Sequence, residues 1–313
     1  MPYGSYLTRR LLSGLVTLFG ITLVVFLMVR LVPGDPARVL LGPHATAQEI
    51  ATLHAEWGLN RPIWIQYGLY VKRVVTGNLG SSLFYQIPVS QLIGERLPPT
   101  LYLMAFSAVL ALIIALPLAT LAALRRDRLA DHIVRVFSQI GLSVPAVWLG
   151  LILITLISVK AHALPVGGYG TGAAAHFRSL ILPSLTIALS IFPTLTRSLR
   201  ASLIVVLDSD YIASAKARGL SWPRVVIVHG IRNAIPPTVT VLGLNIGFLV
   251  GSTVAVETIF ALPGLGSLMI QAVLSRDFPV VQGVAIVYGV LVLVINLATD
   301  LTHTALEPRL VEQ

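Results

Sequence analysis

The sequence predicts an all-α membrane protein with six transmembrane helices and both termini on the cytoplasmic side. Of its 313 residues, 56% are hydrophobic and only 11% are charged, and the mean hydropathy is +0.86. A soluble domain has about 25% charged residues, so this chain has too few to cover a soluble surface. The net charge of +9 would raise nucleic acid as a partner of a soluble protein. Here the basic residues flank apolar runs, which indicates membrane topology and no nucleic acid.

Six charge-free apolar runs are the predicted spans. A helix needs about 20 apolar residues to cross a bilayer, and it must be a helix because lipid cannot pair with the backbone. The runs are 11–29, 97–124, 136–159, 179–196, 233–256 and 278–299. The first run is longer than the core of a signal peptide, and no small-x-small cleavage pattern follows it. We therefore predict that it stays as an uncleaved span.

The distribution of lysine and arginine predicts the orientation, because short cytoplasmic loops are enriched in these residues. With a cytoplasmic N-terminus, the short outer loops hold only Lys160, Arg178 and Arg276. The inner side then holds Arg9, Arg10, Arg125, Arg126, Arg128, Arg135, Arg197, Arg200, Lys216, Arg218, Arg224, Arg232 and Arg309. Both termini are therefore expected in the cytoplasm.

The predicted organisation has three parts. Residues 1–31 form the cytoplasmic N-terminus and first span, 32–98 an extracytoplasmic loop domain, and 99–313 a five-span core with a cytoplasmic loop at 207–236. The outer loop is too long for a simple connector. Its expected elements are a helix from a capping box at Thr46–Glu49 to near Gly58, a helix opened by Pro62 with Trp64, Tyr67 and Val71 on one face, and a turn at 76–80. It either shields the bundle or meets a soluble partner or cargo.

Prolines lie inside or beside several predicted spans: Pro117, Pro145, Pro183 and Pro193. Each removes a backbone donor and leaves a carbonyl that a neighbour must satisfy. They either kink helices for packing or line a pathway with irregular backbone.

The cytoplasmic loop predicts a short helix at Tyr211–Arg218. Asp208 and Asp210 are expected at its start and Lys216 and Arg218 at its end, as the helix dipole favours, and Gly219 provides a left-handed stop. A helix of about two turns is marginal alone, so something must hold it.

A second helix is expected after this glycine, capped by Ser221 with Pro223 in its first turn and running through Arg232 toward Pro236 and Pro237. The first helix has few bulky apolar anchors and several alanines. Packing in the groove of a cytoplasmic partner therefore fits it better than binding to a lipid surface.

These residues resemble the cytoplasmic loop of bacterial binding-protein-dependent ABC importer permeases, in the dipeptide, oligopeptide and nickel branch. That branch reads close to Asp-Tyr-x-x-x-Ala-x-Ala-x-Gly, then His-x-x-Arg-Asn-Ala. This chain has Asp210-Tyr211, Ala215, Ala217, Gly219 and His229–Ala234. It departs from the general family pattern, which has Glu-Ala-Ala, because Ala213 and Ser214 stand at the first two of those positions.

The large outer loop and the Tyr-Leu-x-Arg-Arg start at residues 6–10 resemble the dipeptide permease B type. Further stretches of this branch occur in the right order. They are 33–37, 257–260, 263–266, 276–280 and 296–309. The resemblance implies the type I ABC importer permease fold and a coupling helix that docks on an ATPase. The implied coupling residues are Asp210, Tyr211, Ala215, Lys216, Ala217, Arg218, Gly219, His229, Arg232 and Asn233.

The resemblance also implies the partners and the compartment. They are a second homologous permease, one or two cytoplasmic ABC ATPases, an extracytoplasmic substrate-binding protein and the lipid of a bacterial inner membrane. The chain has no G-x-x-x-x-G-K-[ST] phosphate loop, so we expect ATP and magnesium on the separate ATPase chains and no cofactor here. No catalytic group and no metal site is predicted.

Candidate residues for the translocation path or gate are Asn245, Glu257, Pro263, Gly264, Gly266 and Asn296. Glu257 and Asp300 fall near span ends, where contact with water is the simpler interpretation and a functional role the other. Asn245 and Asn296 either bond between helices or line the path. The stretch 263–266 is either a tight turn or a short re-entrant element at the outer gate.

The predicted function is uptake of short peptides delivered by a binding protein, with glutathione or a nickel chelate as alternative cargo. A secondary transporter would be expected to carry paired charges at mid-membrane, and a membrane enzyme to carry clustered His, Asp or Glu. The six runs contain neither.

Overall fold

The computed structural model describes residues 3–31, 46–58 and 60–306. The motif at 33–37 and the closing Pro308-Arg309 lie outside these residues. Within them, regular structure is helical apart from an isolated bridge between Ser81 and Pro88. An all-helical class is therefore confirmed for the described part of the chain.

The helices are numbered here in chain order. They are α1 (Tyr3–Leu31), α2 (Ala47–Trp57), α3 (Ile63–Val75), α4 (Val89–Leu124), α5 (Leu129–Ser143), α6 (Ala146–Leu153), α7 (Ala173–Leu207), α8 (Asp210–Ala217), α9 (Trp222–Arg224), α10 (Arg232–Ile259), α11 (Leu265–Leu274) and α12 (Phe278–Leu306). Two seven-residue π-helical segments continue α6 and precede α10, at Ile154–Lys160 and Val225–Ile231.

Four helical stretches are long and apolar enough to cross a membrane, and a bent pair makes a fifth if it is one span. The four lie in α4, in α7, in the run that begins at Trp222, and in α12. In α1 the apolar stretch within the described part, Leu12–Met28, is shorter than this criterion requires. The count of six spans therefore stays a prediction.

The third predicted span is not one straight helix. α5 and the helix that begins at Ala146 meet at an angle of 103°. Pro145 explains the break, because proline has no N–H and disfavours helical backbone in the residue before it. Val144 is accordingly extended, with φ −91° and ψ 121°. The other three prolines lie inside helices that continue through them, Pro117 in α4 and Pro183 and Pro193 in α7.

The chain divides into two compact units, and the described part of the larger one comprises residues 3, 99–266 and 292–306. Its centre is α7, which buries Ile187, Ile191 and Leu195 in the main apolar core. Gly141 in α5 lets the Pro193 ring approach, because a Cβ there would lie 2.8 Å from Pro193 Cγ. The outer side of α4 instead exposes Val109 and Ile113, as expected for a surface in lipid or against another membrane chain.

The described part of the second unit comprises residues 4–31, 46–58, 60–98 and 267–291. Phe26, Tyr70 and Ile286 form its apolar cluster, and Thr22 Oγ1 lies 2.9 Å from the Tyr67 hydroxyl. The buried Asp277 carboxylate accepts hydrogen bonds from Ser82 Oγ at 2.5 Å and from Phe84 N at 3.1 Å. These bonds fix the turn at 82–85 to the segment before α12.

The predicted elements of the outer loop are mostly confirmed. α2 and α3 begin and end close to the expected residues, and Gly58, Gly77 and Gly80 all have positive φ. The apolar face predicted for α3 is partly wrong, because Trp64 is 71% exposed and the buried residues are Gln66 and Tyr70. The face of α3 is therefore rotated from the one that the spacing predicted.

Candidate functional site

The predicted cytoplasmic loop contains a short helix that is attached to its own chain. α8 begins at Asp210, two residues after the C-cap of α7, Asp208. Ile212 and Ala215, one turn apart, are buried against Val225 in the π-helical segment. This contact explains how so short a helix is stabilised, because its apolar side packs on the segment that leads into α10.

The end of α8 is a Schellman motif. Gly219 has φ +79°, and its N–H donates to Lys216 O at 2.9 Å. The N–H of Leu220 donates to Ala215 O at 3.4 Å, and these two residues also share an apolar cluster. These bonds and this contact are the complete set that the motif requires. The left-handed stop predicted at Gly219 is confirmed.

Polar contacts join the two arms of this loop. The Asn233 side-chain amide donates to His229 O at 2.8 Å and to the Tyr211 hydroxyl at 3.3 Å. Lys216 Nζ lies 4.0 Å from the centre of the Trp222 ring, a cation–π contact. The structure therefore brings the predicted coupling residue Tyr211 to Asn233, which is 22 residues away and is itself bonded to His229 O.

Three expectations for this loop were wrong. Asp208 does not open α8, because Ser209 is the N-cap and Asp208 instead pairs with Arg126 at 3.1 Å. Ser221 occupies the N-cap position of α9 but makes no side-chain capping bond there. The second helix does not end near Pro236 and Pro237, since both lie inside α10, which continues to Ile259.

The outward side of α8 is lined by small residues. Ala213, Ser214 and Ala217 are exposed, whereas Ile212 and Ala215 face the chain itself. Arg218 and Arg232, also among the predicted coupling residues, are exposed. Small side chains let another backbone come close, so this face can fit into a groove.

Glu257, a predicted gate residue, is not in contact with water. It is 1% exposed, and the simpler interpretation of solvation at a helix end is therefore wrong. Its Oε1 accepts a hydrogen bond from Thr100 Oγ1 at 2.7 Å, and its Oε2 accepts one from Gly266 N at 2.7 Å. Thr100 Oγ1 in turn accepts a bond from Leu265 N at 2.9 Å. The carboxylate thus anchors the start of α11.

The two glycines beside this carboxylate are required by space. A Cβ at Gly264 would overlap the Glu257 carboxylate, and a Cβ at Gly266 would lie 2.5 Å from Val254 Cα. Pro263 precedes them in a half-buried turn. The stretch 263–266 is thus a close-packed turn into a short apolar helix, and its role as a gate stays a prediction.

The remaining predicted path residues are less informative. The Asn245 amide donates to Val241 O in its own helix at 2.7 Å. Asn296 and Asp300 are half-buried in α12. Their role in lining a path stays a prediction.

Sequence reasoning missed two polar contacts. Asp131 is fully buried and is bound by Arg200, with Nε to Oδ1 and Nη2 to Oδ2 both at 2.6 Å. Thr100 is the other missed residue, as the hydroxyl partner of Glu257. In sequence Asp131 resembles an ordinary charge beside a span, and Thr100 is one of many threonines, so neither gave a signal.

The loop around α8 and the Glu257 cluster lie toward opposite ends of the same bundle. Ala123 of α4 packs near Ala234 at the start of α10, whereas Thr100 contacts Glu257 near its end. From residue 100 to 123 a helix rises about 35 Å. This separation is close to the thickness of a bilayer core, about 30 Å. The two clusters are therefore placed for opposite membrane faces.

Comparison with known proteins identifies the family. Residues 115–312 match the family described as binding-protein-dependent transport system inner membrane component, and residues 4–104 match its N-terminal part. Solved structures of the MetNI methionine ABC transporter (TM-score 0.58, 20% identity, 69% of this chain and 96% of that chain) and of an amino acid ABC transporter (TM-score 0.53, 16% identity, 69% and 94%) share the fold.

Curated relatives match over nearly the whole chain. A probable peptide ABC transporter permease protein of Sinorhizobium fredii is 37% identical over 310 residues, covering 98% of this chain and 99% of that protein. The glutathione transport system permease protein GsiC of Escherichia coli is 39% identical over 304 residues, covering 97% and 98%. The chain therefore belongs to the family of binding-protein-dependent transport system inner membrane components, and it is a multi-pass permease of the ABC importer class.

Proposed function

We propose that this chain is one of two homologous permease subunits of an ATP-driven importer in a bacterial cytoplasmic membrane, and that the importer takes up short peptides. A substrate-binding protein delivers the peptide on the outer side. One or two ATPase chains bind on the cytoplasmic side and carry the ATP and magnesium. The pathway lies between the two permeases, so this chain supplies half of its lining.

The observation that carries this proposal is the construction of α8. Through Ile212, Ala215 and Val225 the helix is attached to the π-helical segment that leads into α10, while Ala213, Ser214 and Ala217 face outward. A movement imposed on the outward face therefore passes to a membrane helix. ATP-driven closure of two ATPases would provide such a movement and switch the bundle between two orientations.

The coupling role extends to the residues that hold α8 in shape. Gly219 sets the end of the helix, and Tyr211, Asn233 and His229 O tie it to the following segment. The chain itself has no phosphate-binding loop, so hydrolysis belongs to other subunits.

The proposed topology has six spans and cytoplasmic termini. The Arg126–Asp208 pair joins the turn after α4 to the start of the coupling loop, so Arg125, Arg126 and Arg128 share a membrane face with α8. That face is assigned to the cytoplasm by the enrichment of arginine and lysine. Glu257, Gly264 and Gly266 then lie toward the outer face, where we place the gate.

Short peptides are the proposed cargo because a relative of 37% identity is named as a peptide permease. Glutathione is the second candidate, because the Escherichia coli relative of 39% identity is a glutathione permease. Both cargos are small peptides with free carboxylates, so one permease scaffold suits either. The binding protein then makes the selection.

Uptake by the native host tests the cargo. Deletion of this gene is expected to abolish ATP-dependent uptake of a radiolabelled dipeptide, and the restored gene should recover it. Unlabelled dipeptides and tripeptides with ordinary α-peptide bonds should compete for uptake, whereas glutathione, with its γ-glutamyl bond, should not. Loss of glutathione uptake alone would favour the second candidate. Uptake that survives ATP depletion but stops with a protonophore would contradict the proposal.

A further inference from the structure

Asp131 and Arg200 form an ion pair with a buried carboxylate, and neither residue is among the predicted coupling, path or gate residues. Asp131 is the third residue of α5, and Arg200 lies two turns before the end of α7. The carboxylate is 0% exposed, and the Arg200 side chain is 18% exposed. Both bonds of the planar fork are 2.6 Å long. Such a two-bond contact fixes both distance and direction, because guanidinium and carboxylate groups match in shape.

Two further groups also contact the Asp131 carboxylate, one from the turn after α4 and one from α5 itself. The N–H of Asp127, a residue with φ +59°, donates to Oδ2 at 3.0 Å. Arg135, one turn further along α5, lies 3.7 Å from Oδ1. The carboxylate therefore fastens the turn after α4, the start of α5 and the end of α7 into one unit.

Arg200 lies on the helix that leads directly into the coupling helix. α7 ends at Leu207, and α8 begins at Asp210. The π-helical segment after α8 also packs closely against this end of α7. A Cβ at Gly230 would lie 3.2 Å from Leu207 Cδ2 and 3.9 Å from Leu203 Cδ2. A displacement of the coupling loop must therefore displace the last turns of α7.

On the other side of the pair, α5 ends at a hinge. The extended residue Val144 separates α5 from α6, and the helix axis bends by 103° between them. Hinges in proteins are a few residues with non-helical backbone at the end of an element, and large changes of orientation occur there. Rotation of α5 about Val144 would therefore move the start of α5, where Asp131 lies.

We propose that the Asp131–Arg200 pair is a positioning contact that makes α5 follow the coupling loop when ATP moves it. This inference rests on the proposed importer function. Burial of two charges is weak grounds for a purely stabilising role, because desolvation offsets most of the attraction. What the pair supplies is a rigid connection from α7 to the bent α5–α6 element, through a carboxylate that is fully buried.

The test uses the complete complex in lipid nanodiscs or liposomes. Asp131→Asn removes the charge but keeps the size, and Arg200→Lys keeps the charge but loses the fork. Both variants are expected to lower the number of substrate molecules transported per ATP hydrolysed by about 2- to 30-fold. Arg126→Gln is the matched control, because Arg126 joins the same two segments to Asp208 but in an exposed pair. It should leave this ratio unchanged.

A second readout follows the movement itself. The chain has no cysteine, so cysteines introduced at the exposed Ile133 in α5 and Val205 in α7 carry two spin labels specifically. With the ion pair intact, the distance between the labels should be the same with and without trapped ATP. In the Asp131→Asn background the distance should change on ATP binding, because α7 moves and α5 lags.

Each outcome decides the question. A normal transport ratio in both variants, with a constant label distance, would show that the pair only stabilises the fold and would overturn the proposal. A loss in Arg126→Gln as large as in Arg200→Lys would also overturn it. If Asp131→Asn does not assemble, Arg200→Lys decides alone. Failure of the importer function itself is recognised separately, because the unmodified complex would then show no ATP-dependent uptake.

Discussion

Replacement of Gly219 by valine is expected to remove most ATP-driven uptake while the chain still inserts and assembles. Gly219 has φ +79°, a region that a β-branched residue almost never adopts. The strain on an L-residue there is about 1–2 kcal/mol, and the Schellman bonds of Gly219 and Leu220 would be lost if the turn relaxed. The outward face of α8 would then change direction, and ATP hydrolysis would no longer drive transport.

A series of variants at this position separates backbone strain from size. A Cβ at Gly219 would meet nothing within 4 Å, so a clash of the Cβ within this chain does not explain a loss. Asparagine tolerates left-handed backbone better than alanine does, and valine tolerates it least. Transport per ATP should therefore fall in the order asparagine, alanine, valine. Equal activity of valine and asparagine variants at equal expression would refute the coupling role of this turn.

Replacement of Gly264 by alanine is expected to lower the free energy of unfolding of the purified chain by about 1–3 kcal/mol, the usual cost of overpacking. The new Cβ would overlap the Glu257 carboxylate, which is buried and already bound by Thr100 Oγ1 and Gly266 N. The carboxylate has no water to move into, so either its hydrogen bonds or the turn must be distorted. Titration with a denaturing detergent in mixed micelles measures the change.

Gly251→Ala provides the matched control for this prediction. Gly251 lies in α10, and a Cβ there would meet nothing within 4 Å. In a helix interior this change should be neutral or stabilising by up to about 1 kcal/mol. If Gly264→Ala were as stable as Gly251→Ala, the Glu257 cluster would not be the tightly packed anchor described above.

The sequence predicted the helices well where a single local signal determines them. The apolar runs located the cores of α4, α7, α10 and α12 because burial in lipid requires them. The coupling helix was placed within a residue at each end, since Gly219 and the charges at its termini all act locally. Helix limits were less accurate because prolines in membrane helices, such as Pro236 and Pro237, do not end them when neighbours compensate.

The contacts that organise the candidate sites are not local and could not be predicted in this way. Asp131 and Arg200 are 69 residues apart, and Thr100 and Glu257 are 157 apart. A charge beside a span satisfies the rule for membrane topology whether it is solvated or buried. Only the packing of α5 on α7 decides that Asp131 is buried. The bend at Val144 was signalled by Pro145, but its size depends on packing that the sequence pattern does not reveal.

Cross-linking from the coupling helix is the most direct test that α8 docks on an ATPase. In this cysteine-free chain, Ser214→Cys places one thiol on the outward face of α8. Tyr102→Cys is the control, because Tyr102 is also exposed but lies next to Thr100 in sequence, toward the other end of the bundle. A thiol-attached photo-cross-linker in the purified complex should join position 214, and not position 102, to the ATPase chain. If the ATPase copurified but were never cross-linked from 214, α8 would not be the coupling helix.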